Sequence, residues 1–266
     1  MRNKKLIVFI CVLAFLTVLI VLNSTVFTLQ KININWMTTK HKLERVSDEK
    51  ISENIDVGGS IFLLNKTNIT NKLEKENPYL RVVGIETQFP NKIVVHSAER
   101  ETLYAVEISQ NEYAVVDELG KVLEITNSTI FAGSALGTKP IKVTFNNSTL
   151  DISKFAVGEE IKDESIKNLL TKLSKTLREA NYDPTSSKGI FINIDVLLMG
   201  TGYEVNMNTR NGMSIKIEDV YKYTTDKFLL GLQAYNIKHQ DSVVEGTIVV
   251  TYNQQLNKCI ARYENN

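Results

Sequence analysis

Apolar residues follow three different rhythms along this chain. The first is a continuous run, 6–22, with Thr17 as its single polar member. At 1.5 Å per residue this is near the short end of a membrane-spanning helix, which needs roughly 17–25 residues. Leu6, Ile7, Val8, Phe9, Ile10, Leu13, Phe15, Leu16, Val18, Leu19, Ile20, Val21 and Leu22 make up the body of this expected anchor. Val26 and Phe27 could extend it past Asn23, Ser24 and Thr25. Arg2, Lys4 and Lys5 stand just before the run and the first charge after it is Lys31. The positive-inside rule then keeps the N-terminus in the cytoplasm and sends the rest outside. The rival is a cleaved signal peptide, but Asn23-Ser24-Thr25-Val26 is a poor small-residue cleavage site.

The second rhythm is alternation. In Lys31-Ile32-Asn33-Ile34-Asn35-Trp36 apolar and polar residues alternate, as on a half-buried strand. Ser47-Asp48-Glu49 opens a helix: Ser47 can cap it, and the two acids suit its positive N-terminal end. Ile51 and Ile55 share a face, and Gly58-Gly59 ends that helix. After a short apolar link at 61–64, Ile69 and Leu73 mark a second helix, which Asn77-Pro78 stops. Stretches 80–87 and 92–97 read as strands joined by the tight turn Phe89-Pro90-Asn91. The expected order is β-α-α-β-β, with the helices on one face of a small sheet.

The third rhythm is helical. Ile166, Leu169, Leu170, Leu173 and Leu177 predict a helix over 163–181, with Lys and Arg on its solvated face. Strands are expected at 113–116, 121–125, 141–145, 189–198, 203–208, 213–217 and 246–252. Asn211-Gly212 makes a good hairpin turn between the fifth and sixth of these. A last helix is expected over 219–235, with Phe228, Leu229 and Leu232 inward. The fold class is therefore α+β: one transmembrane helix, a β-α-α-β-β domain, and a mixed, mainly antiparallel β domain with two helices. The expected boundaries are 1–28 for the cytoplasmic tip and anchor, 29–98, 99–255, and a C-terminal tail at 256–266.

Composition narrows the function classes. A formal charge of +1 gives no electrostatic case for nucleic acid. Cys11 lies in the expected anchor and Cys259 near the C-terminus, so they are not expected to pair. A disulfide-free external region must rely on its core, and 43% hydrophobic residues permit that. Asn65-Lys66-Thr67 and Asn147-Ser148-Thr149 match glycosylation sequons, which chance produces readily in an Asn-rich chain.

Several of these pieces together resemble the FtsQ/DivIB family of bacterial division proteins, in which a POTRA module follows a single anchor. The residues that carry the likeness are the Phe89-Pro90-Asn91 turn, the pair Glu99-Arg100, and a hairpin ending in Val116-Asp117-Glu118-Leu119-Gly120-Lys121-Val122. The chain departs from the family pattern at Thr87-Gln88, where an arginine is common, and at Thr102-Leu103-Tyr104-Ala105, where a proline-alanine step is usual. The second external region resembles the family's β domain by weaker pattern. The resemblance implies a scaffold at the septum that binds FtsB/DivIC-like and FtsL-like proteins and helps recruit or regulate septal peptidoglycan synthesis. It implies no cofactor and no turnover.

Candidates for chemistry have bland competitors. Ser47-Asp48-Glu49-Lys50 fits Ser-x-x-Lys, but Ser-Asp-Asn and Lys-Thr-Gly partners are missing, and a helix cap explains Ser47. Gly133-Ser134 lacks the first glycine of Gly-x-Ser-x-Gly, and 133–139 has the wrong spacing for a P-loop. His41, His96 and His239 are far apart, without Cys or Glu at metal-ligand spacing. Glu99 and Asp117 are expected in turn or salt-bridge roles. No catalytic residue, metal, cofactor, small-molecule substrate or nucleic-acid partner is therefore expected. The alternatives are a membrane-tethered sensor or binding module and, more remotely, an extracytoplasmic hydrolase.

The expected partner site is the last predicted strand: Gly246, Thr247, Ile248, Val249, Val250, Thr251 and Tyr252. As the final strand of its domain it is a candidate sheet edge, able to receive a partner strand through main-chain hydrogen bonds. The resemblance places the partner at the end of the β domain beside its last helix, which adds Tyr221 and Lys222. The competing expectation is an ordinary core strand.

Overall fold

A computed structural model of the chain describes residues 2–38, 51, 53, 55, 57–131, 140–146, 150–182, 189–199, 202–241 and 245–265. The chain divides into two compact units, Met1–Arg100 and Glu101–Asn266. The first unit begins with helix α1, Arg2–Thr25. Its side chains over 7–22 are all exposed. Among the described residues no helix is long and apolar enough to cross a membrane. The expected run starts at Leu6, whose side chain is outside the described ones.

Strand β1 (Lys31–Trp36) follows, then a 3-10 turn at Ile61–Leu63, helix α2 (Lys66–Glu76), and strands β2 (Leu80–Gln88) and β3 (Lys92–Glu99). The sheet order is β1-β3-β2, parallel between β1 and β3 and antiparallel between β2 and β3. The alternation of β1 is realised: Ile32, Ile34 and Trp36 pack against the core while Lys31, Asn33 and Asn35 stay exposed. Leu29, Ile51, Ile55, Leu73, Leu80, Ile93 and Val95 form that core. Ile51 and Glu53 are helical, and Ile51 and Ile55 are both buried, as their four-residue spacing demands. Ser47 lies outside the described residues. Helix α2 is capped by Asn65, whose Oδ1 accepts from the Asn68 N–H at 3.0 Å.

Arg100 closes this unit. Its Nη2 donates to Glu74 Oε2 at 2.7 Å, its Nε to the Leu80 carbonyl at 3.2 Å, and its N–H to the Tyr79 carbonyl at 2.7 Å. Glu74 on α2 also accepts the Val82 N–H of β2 through Oε1 at 2.8 Å. The Glu-Arg pair seen in the sequence thus supplies one residue that ties α2 to β2. Arg100 is the last residue of this unit.

The second unit is built on one sheet of nine described strands. They are β4 (Tyr104–Ser109), β5 (Glu112–Val116), β6 (Val122–Asn127), β7 (Ile141–Asn146), β8 (Phe191–Met199), β9 (Gly202–Thr209), β10 (Ser214–Ile217), β11 (Thr247–Asn253) and β12 (Lys258–Glu264). Helix α3 (Glu164–Glu179) lies between β7 and β8 in sequence, and α4 (Thr224–Gln240) between β10 and β11. The spatial order is β12-β11-β10-β9-β8-β7-β4-β5-β6. The β10/β11, β7/β8 and β4/β7 pairs are parallel and the others antiparallel, so the sheet is mixed and mainly antiparallel. Both helices cover one face: Leu170, Leu173 and Leu177 of α3 and Phe228 and Leu232 of α4 share a core with Val106, Val143, Val196, Val205, Ile215 and Val250. Burying one such side chain contributes about 1.5–3 kcal/mol. The Val116–Val122 motif is a turn in which Asp117 Oδ1 accepts the N–H groups of Leu119 and Lys121 at 2.9 and 2.8 Å. Gly120 in it has φ +83°, a conformation that favours glycine.

Asp163 starts α3. Its Oδ1 accepts from the N–H groups of Ser165 and Ile166, and its Oδ2 from Lys154 Nζ at 3.0 Å. Burial pushes its carboxyl up, but the Lys154 ammonium and the two N–H donors outweigh this and hold it below the usual carboxylate value. A carboxylate with a depressed folded pKa stabilises the fold above its unfolded pKa, and that contribution is lost as pH falls through the folded value. Asp163→Ala should cost about 0.5–2 kcal/mol at neutral pH through the lost cap. In urea melts the difference from the unmodified protein should shrink on acidification; a constant gap down to strong acid would mean the charge is not the cause.

Candidate partner-binding edge

Strand β11 is not an edge. It pairs with β10 on one side and β12 on the other, so the expected open edge at 246–252 is corrected to a strand paired on both sides. The reason is the chain beyond it: Lys258–Glu264, within the stretch 256–266 expected as a tail, returns as β12. Among the described strands β12 pairs with β11 alone, and it forms this end of the sheet.

Which groups of β12 face outward follows from the pairing. The carbonyls of Gly246 and Val250 accept from Ser214 and Glu218, so the even-numbered residues of β11 point to β10. Thr247, Val249 and Thr251 then point to β12, where they are opposite Glu264, Arg262 and Ile260. In an antiparallel pair these opposite residues exchange both hydrogen bonds, and the residues between them turn away. The outward backbone groups therefore belong to Cys259, Ala261 and Tyr263. Ala261 and Tyr263 rest against the core. Cys259 is half-buried, and its thiol is pushed up by burial.

The expected pair Tyr221 and Lys222 lies in a turn before α4 rather than in a helix. Asp219 and Tyr223 have φ +46° and +55°, left-handed values that interrupt helical propagation until Thr224. This turn is bound to the end of β11. The Glu218 N–H donates to the Val250 carbonyl at 3.0 Å, and the Tyr223 and Tyr252 rings stack at 4.6 Å. The structure thus brings together the two sequence-distant parts of the expected site. Tyr221 packs edge-on against Tyr203 at 5.1 Å, and burial pushes its phenol up to about 12. Tyr203, Tyr221, Lys222, Glu204, Glu218 and Asp219 help line an open cleft of about 460 Å³.

Beneath the turn lies Lys227, fully buried on α4. Its Nζ donates to the carbonyls of Glu218 and Asp219 at 2.7 and 2.6 Å. Burial pushes its pKa down, while the Asp219 carboxylate pulls it up. A lysine inside a helix reads as surface in sequence; nothing local announces that it will cap two carbonyls. The edge strand did leave a signal. Cys259, Ala261 and Tyr263 alternate with Lys258, Arg262 and Glu264, the period of a half-buried strand that only Ile260 interrupts.

The chemistry candidates are scattered. His96 meets Asn35 and Glu86 in the first unit, and His239 stacks on Tyr235 in the second. Glu99 is in β3, and Asp117 forms the turn already described. Among the described residues no group of His, Cys, Asp and Glu could hold a metal ion. His41, Gly133, Ser134 and Asn147 lie outside the described residues.

Residues 32–100 match the family described as POTRA domain, FtsQ-type. The chain is 40% identical over 73 residues to cell division protein DivIB of Clostridium tetani, covering 27% of each chain. It is 30% identical over 123 residues to DivIB of Clostridium botulinum, covering 46% of each. To DivIB of Bacillus cytotoxicus it is 25% identical over 215 residues, covering 77% of this chain and 72% of that one. The matched stretches thus span about half or less of the two clostridial relatives.

Proposed function

Since the chain belongs to the FtsQ/DivIB family of cell division proteins, we propose that it is a non-enzymatic scaffold held in the membrane by α1. Outside the membrane it binds FtsB/DivIC-like and FtsL-like partners and helps recruit or regulate septal peptidoglycan synthesis. The observation that carries the docking role is the edge strand β12, with outward backbone groups at Cys259, Ala261 and Tyr263. An unprotected edge can accept a partner strand, main-chain hydrogen bonds supplying affinity. Residues 246–252 contribute from behind by holding β12, and Tyr221 and Lys222 from the adjoining turn. The anchor reading is supported by the uncharged run 6–22 and by Arg2, Lys4 and Lys5 just ahead of it. On this reading the N-terminus is cytoplasmic and both units are extracytoplasmic. A protease added to wall-stripped intact cells should then cut the region after Lys31; survival until lysis would reverse the topology.

The test of the edge is Ala261→Pro in the full chain. Proline removes one outward N–H, and an edge strand tolerates it where a ladder position does not. Binding to a purified FtsB/DivIC-like partner should weaken at least tenfold, about 1.4 kcal/mol, with the circular dichroism melt unchanged. Unchanged affinity in a folded variant would move the site off this strand. Val249→Pro cannot serve, because the Val249 N–H lies inside the β11/β12 ladder. A fluorescent fusion concentrated at the septum separates the scaffold from a membrane-tethered sensor, which would spread over the cell surface.

A further inference from the structure

The first unit carries an aromatic surface that its core does not use. Phe62, Leu63 and Phe89 are 59%, 82% and 62% exposed, and Val26 and Val57 are exposed beside them in the same segments. The Phe27 and Phe62 rings lie 5.1 Å apart, and those of Phe62 and Phe89 5.3 Å apart. Three sequence-distant segments therefore meet in one apolar patch. Backbone bonds hold them: Ile61 N–H to the Phe27 carbonyl at 2.8 Å, Leu29 N–H to Gly59 at 2.9 Å, and Gln30 N–H to Asn91 at 2.9 Å. Contiguous exposed apolar surface marks a place of interaction.

Its position in the chain says what covers it. The N–H groups of Val26 and Phe27 both donate to the Leu22 carbonyl, at 2.9 and 3.1 Å, so the patch begins on the last turn of α1. On the reading of α1 as the anchor, on which this inference rests, Phe27 leaves the hydrocarbon and its neighbours reach headgroup depth. Aromatic side chains concentrate at that depth. Segments 26–31, 57–64 and 88–92 contain no acidic residue. Lys31 and Lys92, cross-strand partners on β1 and β3, flank the patch and suit anionic headgroups. We infer that Phe27, Phe62, Leu63 and Phe89 insert into the interfacial layer of the same bilayer and seat the first unit on the lipid surface.

The test uses the full chain with Cys11→Ser and Cys259→Ser, in vesicles of phosphatidylcholine and phosphatidylglycerol that hold no other protein. An environment-sensitive probe is placed by Leu63→Cys, and control probes by Leu13→Cys in α1 and by Glu76→Cys at the exposed C-terminal end of α2, which leads into the end of β2 far from Phe89. Nitroxide lipids at headgroup depth should quench the Leu63 probe several-fold more than the Glu76 probe. Nitroxides near the bilayer centre should quench the Leu13 probe. Adding Phe62→Ser and Phe89→Ser should bring the Leu63 signal down to that at Glu76 and leave Leu13 unchanged. Deep quenching at Leu13 with no excess at Leu63 would keep the anchor and overturn the inference, leaving the patch to a protein partner. Absence of quenching at both sites would overturn the inference and the anchor together.

Discussion

An Arg100→Ala protein is expected to lose about 3–5 kcal/mol of stability in its first unit, because it takes the guanidinium away from a largely buried carboxylate. The Arg100 and Glu74 side chains are 8% and 15% exposed, and Nη2 and Oε2 are 2.7 Å apart. The change also removes the Nε bond to the Leu80 carbonyl. Trp36 is the chain's only tryptophan and packs against this unit's core, so its fluorescence in a urea titration reports this unit. Combining Arg100→Ala with Glu74→Met should recover part of the loss, since an apolar pair needs no counter-charge. Recovery should be incomplete, because the Val82 N–H loses its acceptor. A loss below about 1 kcal/mol would place the pair among solvent-screened surface bridges.

Gly246→Ala should destabilise the second unit by about 2–4 kcal/mol and weaken partner binding with it. Gly246 has φ +109°, where an L side chain is strained by about 1–3 kcal/mol. A Cβ there would stand 2.5 Å from Tyr263 Oη and 2.7 Å from Cε2. The tyrosine must move, breaking the 2.6 Å bond from its hydroxyl to the Glu245 carbonyl, worth about 0.5–1.5 kcal/mol. Tyr263 is on the edge strand, so its displacement frays the surface proposed to dock the partner. Hydrogen exchange should show faster amides along 258–264 while those of α3 keep their protection. Equal protection at both would show that Tyr263 adapts without loosening β12.

These two sites show where sequence reading stopped. Glu99-Arg100 stood out as a pattern, but its partner is 26 residues away on a helix whose inner face was assigned from Ile69 and Leu73. Gly246 read as the start of a strand, and only the tertiary structure, through its φ of +109° and the Tyr263 ring on the returning β12, explains why it must be glycine. The buried face of α3 was legible, because the Ile166–Leu177 spacing states it locally, and the helix Glu164–Glu179 lies within the expected 163–181 with Asp163 as its cap. The expected start of α4 was five residues early: the left-handed turn at Asp219–Tyr223 uses ordinary residues, and the burial of Lys227 that steadies it comes from the surrounding sheet.

Periodicity and turn chemistry depend on neighbours within a few residues, so the sequence alone determined the α+β class and most of the described strands and helices, but not β4 or β12. It also carried the POTRA order and the family likeness. The tertiary structure decided what pairing between distant segments controls. It made β11 interior by setting β10 parallel to it across α4 and adding β12. It joined the Tyr221–Tyr223 turn to Tyr252, and it gathered Phe27, Phe62 and Phe89 from three loops. A strand's alternation shows which side chains are buried, but its backbone hydrogen bonds go sideways, to whatever strand the rest of the chain places there.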